Sequence, residues 1–167
     1  MPTRKIADTE RTRHMLNEGD KAPDFKLAAE GGKTLKLQAF KGKAVVLYFY
    51  PKDDTPGCTT EAKDFSCMIG DFKKAGVEVI GVSPDGIASH EKFRKKHALE
   101  VALGSDEDTA VASAYGVWVE KSMYGKKYMG VERATFLIDG KGRLAKIWRK
   151  VKVPGHAEEV LAAAKAL

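Results

Sequence analysis

Residues 44–61 read AVVLYFYPKDDTPGCTTE. The first seven residues are apolar and end in aromatics, which is typical of a central strand buried on both faces. Pro51 and the pair Pro56-Gly57 then indicate a turn, and Cys58 opens a predicted helix. A strand followed by a turn and a helix indicates an α/β fold. At a helix N-terminus, free N–H groups and the helix dipole favour the thiolate, which is the nucleophilic form of a cysteine.

The rest of the chain supplies further strands and helices around this unit. Apolar residues recur at helical spacing after Cys58 and predict one helix over about 58–75, ended by Gly76. Other helices are predicted over about 89–97, in a short segment ending at 115, and from about 156. Strands are predicted at 25–27, 34–37, 44–50, 77–82, 133–139 and 144–150. This order predicts a central mixed β-sheet flanked by helices.

The length of 167 residues suits one domain. We expect residues 1–17 to form a flexible polar tail and residues 18–167 to form a single domain. The tail lacks the apolar core of a secretory signal. No apolar run reaches the roughly 18 residues that a membrane span needs. Together with a count of only two cysteines, these features predict a cytoplasmic protein that has no membrane partner.

Charge and histidine pattern argue against two other classes of function. The net charge of +6 would suit a nucleic-acid partner. The basic residues are nevertheless spread along the chain, and no nucleic-acid-binding motif is present, so we expect no nucleic acid. The four histidines show no ligand spacing with one another or with the cysteines. We therefore expect no metal and interpret the histidines as solvated helix or loop residues.

The segment around the cysteine resembles the active site of the peroxiredoxins. Pro51-x-x-x-Thr55-x-x-Cys58 matches the pattern of that family at every specified position. Further matching segments are GDKAPDF at 19–25, GVS at 81–83, YGVW at 115–118 and RATFLIDGKG at 133–142. The chain is most similar to the bacterioferritin comigratory protein branch, also called PrxQ. This resemblance implies a thioredoxin-like fold and an antioxidant enzyme that reduces hydrogen peroxide and organic hydroperoxides with thiols and without a cofactor.

The resemblance also implies roles for individual residues. Cys58 would be the peroxidatic nucleophile and would become a sulfenic acid. Thr55 would orient the peroxide, with a turn-stabilising hydroxyl as the alternative, and Pro51 would shield the thiolate from water. Arg133 would lie beside the sulfur and stabilise negative charge, with a surface position at a strand end as the alternative. Glu61 is expected either to pair with Arg133 or to act as a first-turn acid favoured by the dipole.

The chain departs from the family pattern in its second cysteine. Many members carry a resolving cysteine five residues after the nucleophile, where this chain has Lys63, or in the next helix, where it has none. Only Cys67 is left, and nine helical residues separate it from Cys58 by half a turn and a rise of about 13.5 Å. Bridged Cα atoms lie roughly 4.4–6.8 Å apart. We expect a one-cysteine mechanism or a resolving thiol from another molecule, with resolution by Cys67 after local unwinding as the alternative.

Several partners and competing functions follow from these residues. The family resemblance implies thioredoxin as the reductant, with glutaredoxin or another thiol system as the alternative. It also implies a monomer, with a dimer left open.

A thioredoxin-type disulfide oxidoreductase is disfavoured, because position 61 is Glu61 and no Cys-x-x-Cys pair is present. A redox sensor that uses the same oxidation of Cys58 is the main alternative from another class, followed by a basic binding module.

Overall fold

The computed structural model describes residues 16–167. The tail predicted for residues 1–17 therefore lies outside the described residues, apart from its last two. Of these, Leu16 packs against the apolar core. No helix within the described range is both long and apolar enough to cross a membrane.

The order of elements follows the predicted alternation of strands and helices. The strands are β1 (Lys26–Ala28), β2 (Thr34–Lys36), β3 (Ala44–Phe49), β4 (Val77–Ser83), β5 (Ala102–Ser105), β6 (Trp118–Met123), β7 (Lys126–Val131), β8 (Ala134–Ile138) and β9 (Leu144–Trp148). The helices are α1 (Pro56–Cys67), α2 (Ile69–Lys74), α3 (Ile87–His97), α4 (Ala110–Ala114) and α5 (His156–Lys165). Short 3-10 turns at Glu30–Gly32 and Leu37–Phe40 flank β2.

A mixed sheet forms the centre of the molecule. In the part of the chain that the structure describes, its strand order is β2-β1-β5-β4-β3-β8-β9, and β6 and β7 form a separate two-stranded sheet. β3 pairs in parallel with β4 and antiparallel with β8. Helices flank the sheet, so the predicted central mixed sheet with flanking helices is confirmed.

The central strand β3 is buried on both faces, as its continuous apolar sequence predicts. Val46 and Tyr48 belong to one core cluster, which also contains the buried apolar residues of α1, α2, α3 and α5. Val45, Leu47 and Phe49 belong to a second core cluster, with the buried residues of α4 and the base of the β6–β7 hairpin. Because neighbouring side chains on a strand point to opposite faces, every position of β3 must be apolar.

The structure differs from the predicted elements in three places. The helix predicted over about 58–75 is divided at Met68, where φ is −100° and ψ is 7°, and Gly70, a weak helix former, lies two residues further on. The strand β5 was not predicted, because it has four residues and includes Gly104. The hairpin of β6 and β7 was not predicted either, because most of its residues are exposed and show no clear alternation of apolar and polar side chains.

Candidate active site

Cys58 lies at the start of the helix that follows the central strand. Thr55 has extended backbone angles and is the N-cap of α1, and Pro56 occupies the first helical position, where its fixed φ suits a helix and its missing N–H costs nothing. Cys58 is therefore in the first turn, where the N–H groups have no acceptor inside the helix. Its side chain is a free thiol and the residue is only 2% exposed. The first turn of α1 thus offers backbone donors beside a shielded sulfur.

Arg133 reaches this sulfur from the neighbouring strand. The register pairs Phe49, the last residue of β3, with Ala134, the first residue of β8, so Arg133 lies where the cysteine loop begins. Its Nη2 donates to the Cys58 Sγ at 3.3 Å. A side chain on Gly57 would place a Cβ 3.2 Å from this nitrogen, so the glycine leaves room for the guanidinium group.

Glu61 lies on the other side of the Arg133 guanidinium group from Cys58 and contacts its second terminal nitrogen. The Nη1 of Arg133 donates to Glu61 Oε1 at 2.6 Å, as one of the two sequence-based interpretations of Glu61 expected. Burial raises the pKa of Glu61 to about 7, although Arg133 counteracts it. Burial lowers the pKa of Arg133, but Glu61 and Cys58 outweigh it and raise that pKa. Arg133 is therefore a permanent cation, whereas Glu61 changes its charge close to neutral pH.

Thr55 and Pro51 belong to the loop that leads to the cysteine. The Thr55 hydroxyl donates to the Lys52 carbonyl oxygen at 2.9 Å, so in this structure it stabilises its own loop. Its oxygen still has lone pairs with which it can accept a further hydrogen bond. Pro51 directly follows the buried Tyr50 and is itself half-buried. The structure thus brings Cys58 and Arg133 into contact and places Thr55 and Pro51 in the loop beside them.

Cys67 is well separated from Cys58. It is the last residue of α1, it is a free thiol, and it is exposed, whereas Cys58 is in the first turn of the same helix. The helix is continuous between the two residues, so the half-turn offset and the long rise expected from the sequence apply. Lys63 is exposed and α3 contains no cysteine. A bond between the two sulfurs therefore requires α1 to unwind.

Two further side chains interact electrostatically with Cys58, although nothing in the sequence pattern indicates that they lie near it. Tyr48 looks like an ordinary core residue of β3, but burial, followed by the negative charges of Glu61 and Cys58, raises its pKa well above the usual value. Lys121 belongs to the unpredicted hairpin. Burial, followed by the charge of Arg133, lowers the pKa of Lys121, while Glu132 and then Cys58 act in the opposite direction. A neutral hydroxyl and a second cation therefore lie within electrostatic range of the sulfur.

The interpretation of the histidines as solvated residues is wrong for two of them. His90 is 1% exposed and His156 is 4% exposed. His156 Nε2 lies 2.7 Å from the Thr135 hydroxyl, and burial lowers the pKa of His156 to about 4. The contact between His156 and Thr135 joins residues 21 positions apart, and sequence spacing alone does not reveal it. Among residues 16–167, no three His, Cys, Asp or Glu side chains are grouped so that they would hold a metal ion.

Comparisons with known proteins identify relatives of this chain. Residues 18–147 match the AhpC/TSA family. Peroxiredoxin Bcp of Bacillus subtilis is 53% identical over 143 residues, which cover 86% of this chain and 91% of that relative. A solved structure of Peroxiredoxin Q from Xanthomonas campestris is 48% identical, has a TM-score of 0.81, and is matched over 85% of this chain and 90% of its own.

A second solved structure bears on substrates. It is the Bacterioferritin Comigratory Protein of Xanthomonas campestris, described as a trapped intermediate/ligand complex that gives insight into alkyl peroxide reduction activity. This chain is 45% identical to it, with a TM-score of 0.84, and the match covers 90% of this chain and 98% of the other.

Proposed function

Since this chain belongs to the AhpC/TSA family and is a thiol peroxidase of the peroxiredoxin type, we propose that it reduces hydrogen peroxide and organic hydroperoxides through Cys58. The single observation that carries the proposal is the 3.3 Å contact between Arg133 and the Cys58 sulfur at the start of α1. The relative from Xanthomonas campestris that is described with alkyl peroxide reduction supports the substrate class. The comparisons also confirm the thioredoxin-like peroxiredoxin fold.

The chemical step is an attack by the Cys58 thiolate on the terminal oxygen of the peroxide. A sulfur–oxygen bond forms, the oxygen–oxygen bond breaks, and the leaving alkoxide or hydroxide takes up a proton to give an alcohol or water. Cys58 becomes a sulfenic acid, the first stage of cysteine oxidation. Arg133 and the first-turn N–H groups of Gly57 and Cys58 stabilise the charge that moves from sulfur to oxygen. In this proposal Thr55 orients the peroxide and Pro51 keeps water away.

A thiol donor then regenerates the enzyme. The thiol attacks the sulfenic acid and forms a mixed disulfide while water leaves, and a second thiol releases reduced Cys58. We propose thioredoxin as the donor, with another thiol system as the alternative. The separation of the two cysteines along α1 favours a one-cysteine route or a resolving thiol from another molecule, and resolution by Cys67 is the alternative.

Other properties of the protein are part of the same proposal. We propose that it acts as a cytoplasmic monomer, with a dimer as the alternative, and without a metal, a nucleic-acid partner or a membrane partner. We also propose that residues 18–167 form a single domain.

Steady-state peroxide consumption with thioredoxin, thioredoxin reductase and NADPH tests the function. The native chain should turn over, Cys58→Ser should abolish turnover, and Cys67→Ser should retain it. Loss of turnover in Cys67→Ser would make Cys67 the resolving thiol. A native chain that is rapidly oxidised at Cys58 but does not turn over with several reductants would favour the redox sensor instead.

Mass spectrometry after one equivalent of peroxide tests the route of resolution separately. We expect oxidised Cys58 without an internal link, or with a link to an added thiol. A peptide that joins Cys58 to Cys67 as the main product would show that α1 unwinds and would contradict the one-cysteine route.

A further inference from the structure

Two consecutive aspartates tie the loop that carries Pro51 and Thr55 to helix α3. Asp53 accepts hydrogen bonds from Ser89 Oγ at 2.8 Å and His90 Nδ1 at 2.7 Å. The exposed Asp54 accepts hydrogen bonds from Lys96 Nζ and His97 Nε2, both at 2.8 Å. The loop precedes the nucleophile in sequence, and α3 follows β4, so these contacts connect the cysteine loop to a distant part of the chain.

Asp53 is the buried member of this pair. Its side chain is 3% exposed, and its second oxygen, Oδ1, accepts a hydrogen bond from the Tyr50 hydroxyl at 2.6 Å. Burial alone would raise the pKa of Asp53, but the hydrogen bonds from His90 and Tyr50 outweigh it and lower that pKa. The carboxylate is therefore a buried anion between the loop and α3.

His90 supplies the compensating charge. Its Nδ1 faces the Asp53 carboxylate, and its Nε2 lies 3.1 Å from the Gly104 carbonyl oxygen. Both partners are acceptors, and a neutral imidazole donates from one nitrogen only. The ring therefore satisfies both contacts only when both nitrogens carry a proton, which makes Asp53 and His90 a buried ion pair.

The backbone N–H group of Asp53 also forms a hydrogen bond that holds the loop. The Asp53 N–H donates to Asp85 Oδ2 at 2.7 Å, and the Ser83 hydroxyl donates to the same oxygen at 2.7 Å. The next residue, Asp54, has a φ of 59°, in the left-handed region that few residues adopt without support. Asp53 thus holds the loop through hydrogen bonds of both its carboxylate and its backbone N–H group.

We propose that Asp53 and His90 are positioning residues, whose buried ion pair fixes the loop that carries Thr55 and Pro51 against the first turn of α1. The inference rests on the proposed peroxidase function, because it concerns the geometry of the peroxide beside Cys58. Neither residue touches the sulfur. They act through the loop, and a displacement of about 1 Å at such a loop lowers a rate by about 100-fold.

A pair of matched variants tests this role. Asp53→Asn removes the charge, and Asp106→Asn is the control, because Asp106 is a similarly buried carboxylate that caps α4 through the N–H groups of Val111 and Ala112. Two rates are measured for Cys58: oxidation by hydrogen peroxide, which requires an oriented peroxide, and alkylation by iodoacetamide, which does not.

We expect Asp53→Asn to slow the peroxide reaction by about 10- to 100-fold and to leave the alkylation rate within about two-fold of the native rate. Asp106→Asn should leave the ratio of the two rates unchanged. A native peroxide rate in Asp53→Asn, or an equal loss of both rates, would overturn the positioning role. A native chain that does not react with peroxide at all would instead overturn the proposed function.

A measurement on the native chain covers the case in which Asp53→Asn does not fold. In a protein labelled with ¹⁵N-histidine, the ion pair predicts that both ring nitrogens of His90 carry protons that exchange slowly at neutral pH. An unprotonated ring nitrogen on His90 would contradict the ion pair. Ser89→Ala removes one donor to Asp53 and should lower the peroxide rate by a smaller factor than Asp53→Asn, and an unchanged rate would count against the positioning role.

Discussion

The guanidinium group of Arg133 contacts the Cys58 sulfur at 3.3 Å, although 75 positions separate the two residues in the sequence. The antiparallel pairing of β3 with β8 produces this contact, because it places the start of one strand beside the end of the other. The same arginine holds Glu61 through its other nitrogen. A single cation is thus shared between the Cys58 sulfur and a buried acid.

Replacement of Arg133 should slow peroxide reduction strongly. In Arg133→Met we expect the second-order rate of Cys58 with hydrogen peroxide to fall by about 100- to 1,000-fold, the loss typical of removing one preorganised donor from a developing oxyanion. Stopped-flow oxidation measures this rate. Arg149→Met is the control, because Arg149 is also paired with a glutamate, Glu132, through two hydrogen bonds. An equal loss in both variants would contradict a specific role for Arg133.

Glu61 should make the protein less stable as the pH rises towards neutrality. Its pKa is raised from 4.5 to about 7, first by burial, so the folded chain keeps a proton that the unfolded chain has lost. The free energy of unfolding should therefore fall by about 1.4 kcal/mol per pH unit between pH 4.5 and 7 through this group. Denaturant titrations of Glu61→Gln should lack this contribution. If the free energy of unfolding has the same pH dependence in the native chain and in Glu61→Gln, Glu61 makes no such contribution.

His156 should make the protein more stable as the pH rises, which is the opposite of the effect of Glu61, and over nearly the same pH range. Burial lowers its pKa from 6.5 to about 4, so the unfolded chain binds a proton that the folded chain does not. Its contribution to the free energy of unfolding is complete above pH 6.5 and is lost as the pH falls towards 4, by about 1.4 kcal/mol per unit. In His156→Gln the stability should decline less on acidification, as measured by the same titrations. If the stability of His156→Gln declines on acidification as steeply as that of the native chain, the prediction is wrong.

Lys121 should affect every reaction of the Cys58 thiolate, whatever the electrophile. Its ammonium is a partly exposed cation within range of the sulfur, and such charge pairs contribute up to about 1 kcal/mol. Lys121→Gln should therefore slow both peroxide oxidation and iodoacetamide alkylation by about 2- to 5-fold, and Lys121→Arg should restore both rates. Lys127→Gln, an exposed lysine on the same hairpin, is the control. A loss confined to the peroxide reaction would point to contact with the substrate instead.

The sequence carries more information about the fold's centre than about its periphery. The unbroken apolar run of β3 and the helical spacing after Cys58 identified the central strand and α1, because burial on two faces or one face leaves a clear pattern. The β6–β7 hairpin leaves no such pattern, because Met123, Tyr124 and Met129 are exposed. Apolar side chains that face solvent weaken the alternation that identifies a strand.

In the site, the sequence indicates residues that belong to a family motif, but it does not indicate contacts between distant segments. The motif around Cys58 predicts a nucleophilic cysteine, and the family resemblance implies that Arg133 lies beside it. A contact between Glu61 and Arg133 was one of the two interpretations of Glu61. The contact between Asp53 and His90 joins residues 37 positions apart, and neither the spacing nor the residue types of the two segments predict it. Pairings of this kind depend on how two distant elements pack, so they emerge only from the folded chain.

The most direct test of the central claim is a single turnover of the fully reduced chain with one equivalent of hydrogen peroxide, in the presence of a reagent that traps sulfenic acids. Peptide mass spectrometry then locates the trapped group. We expect it on Cys58 in the native chain and in Cys67→Ser, with no rapid peroxide loss in Cys58→Ser. Rapid peroxide consumption by Cys58→Ser, or a trapped group on Cys67 alone, would contradict the assignment of Cys58 as the peroxidatic residue.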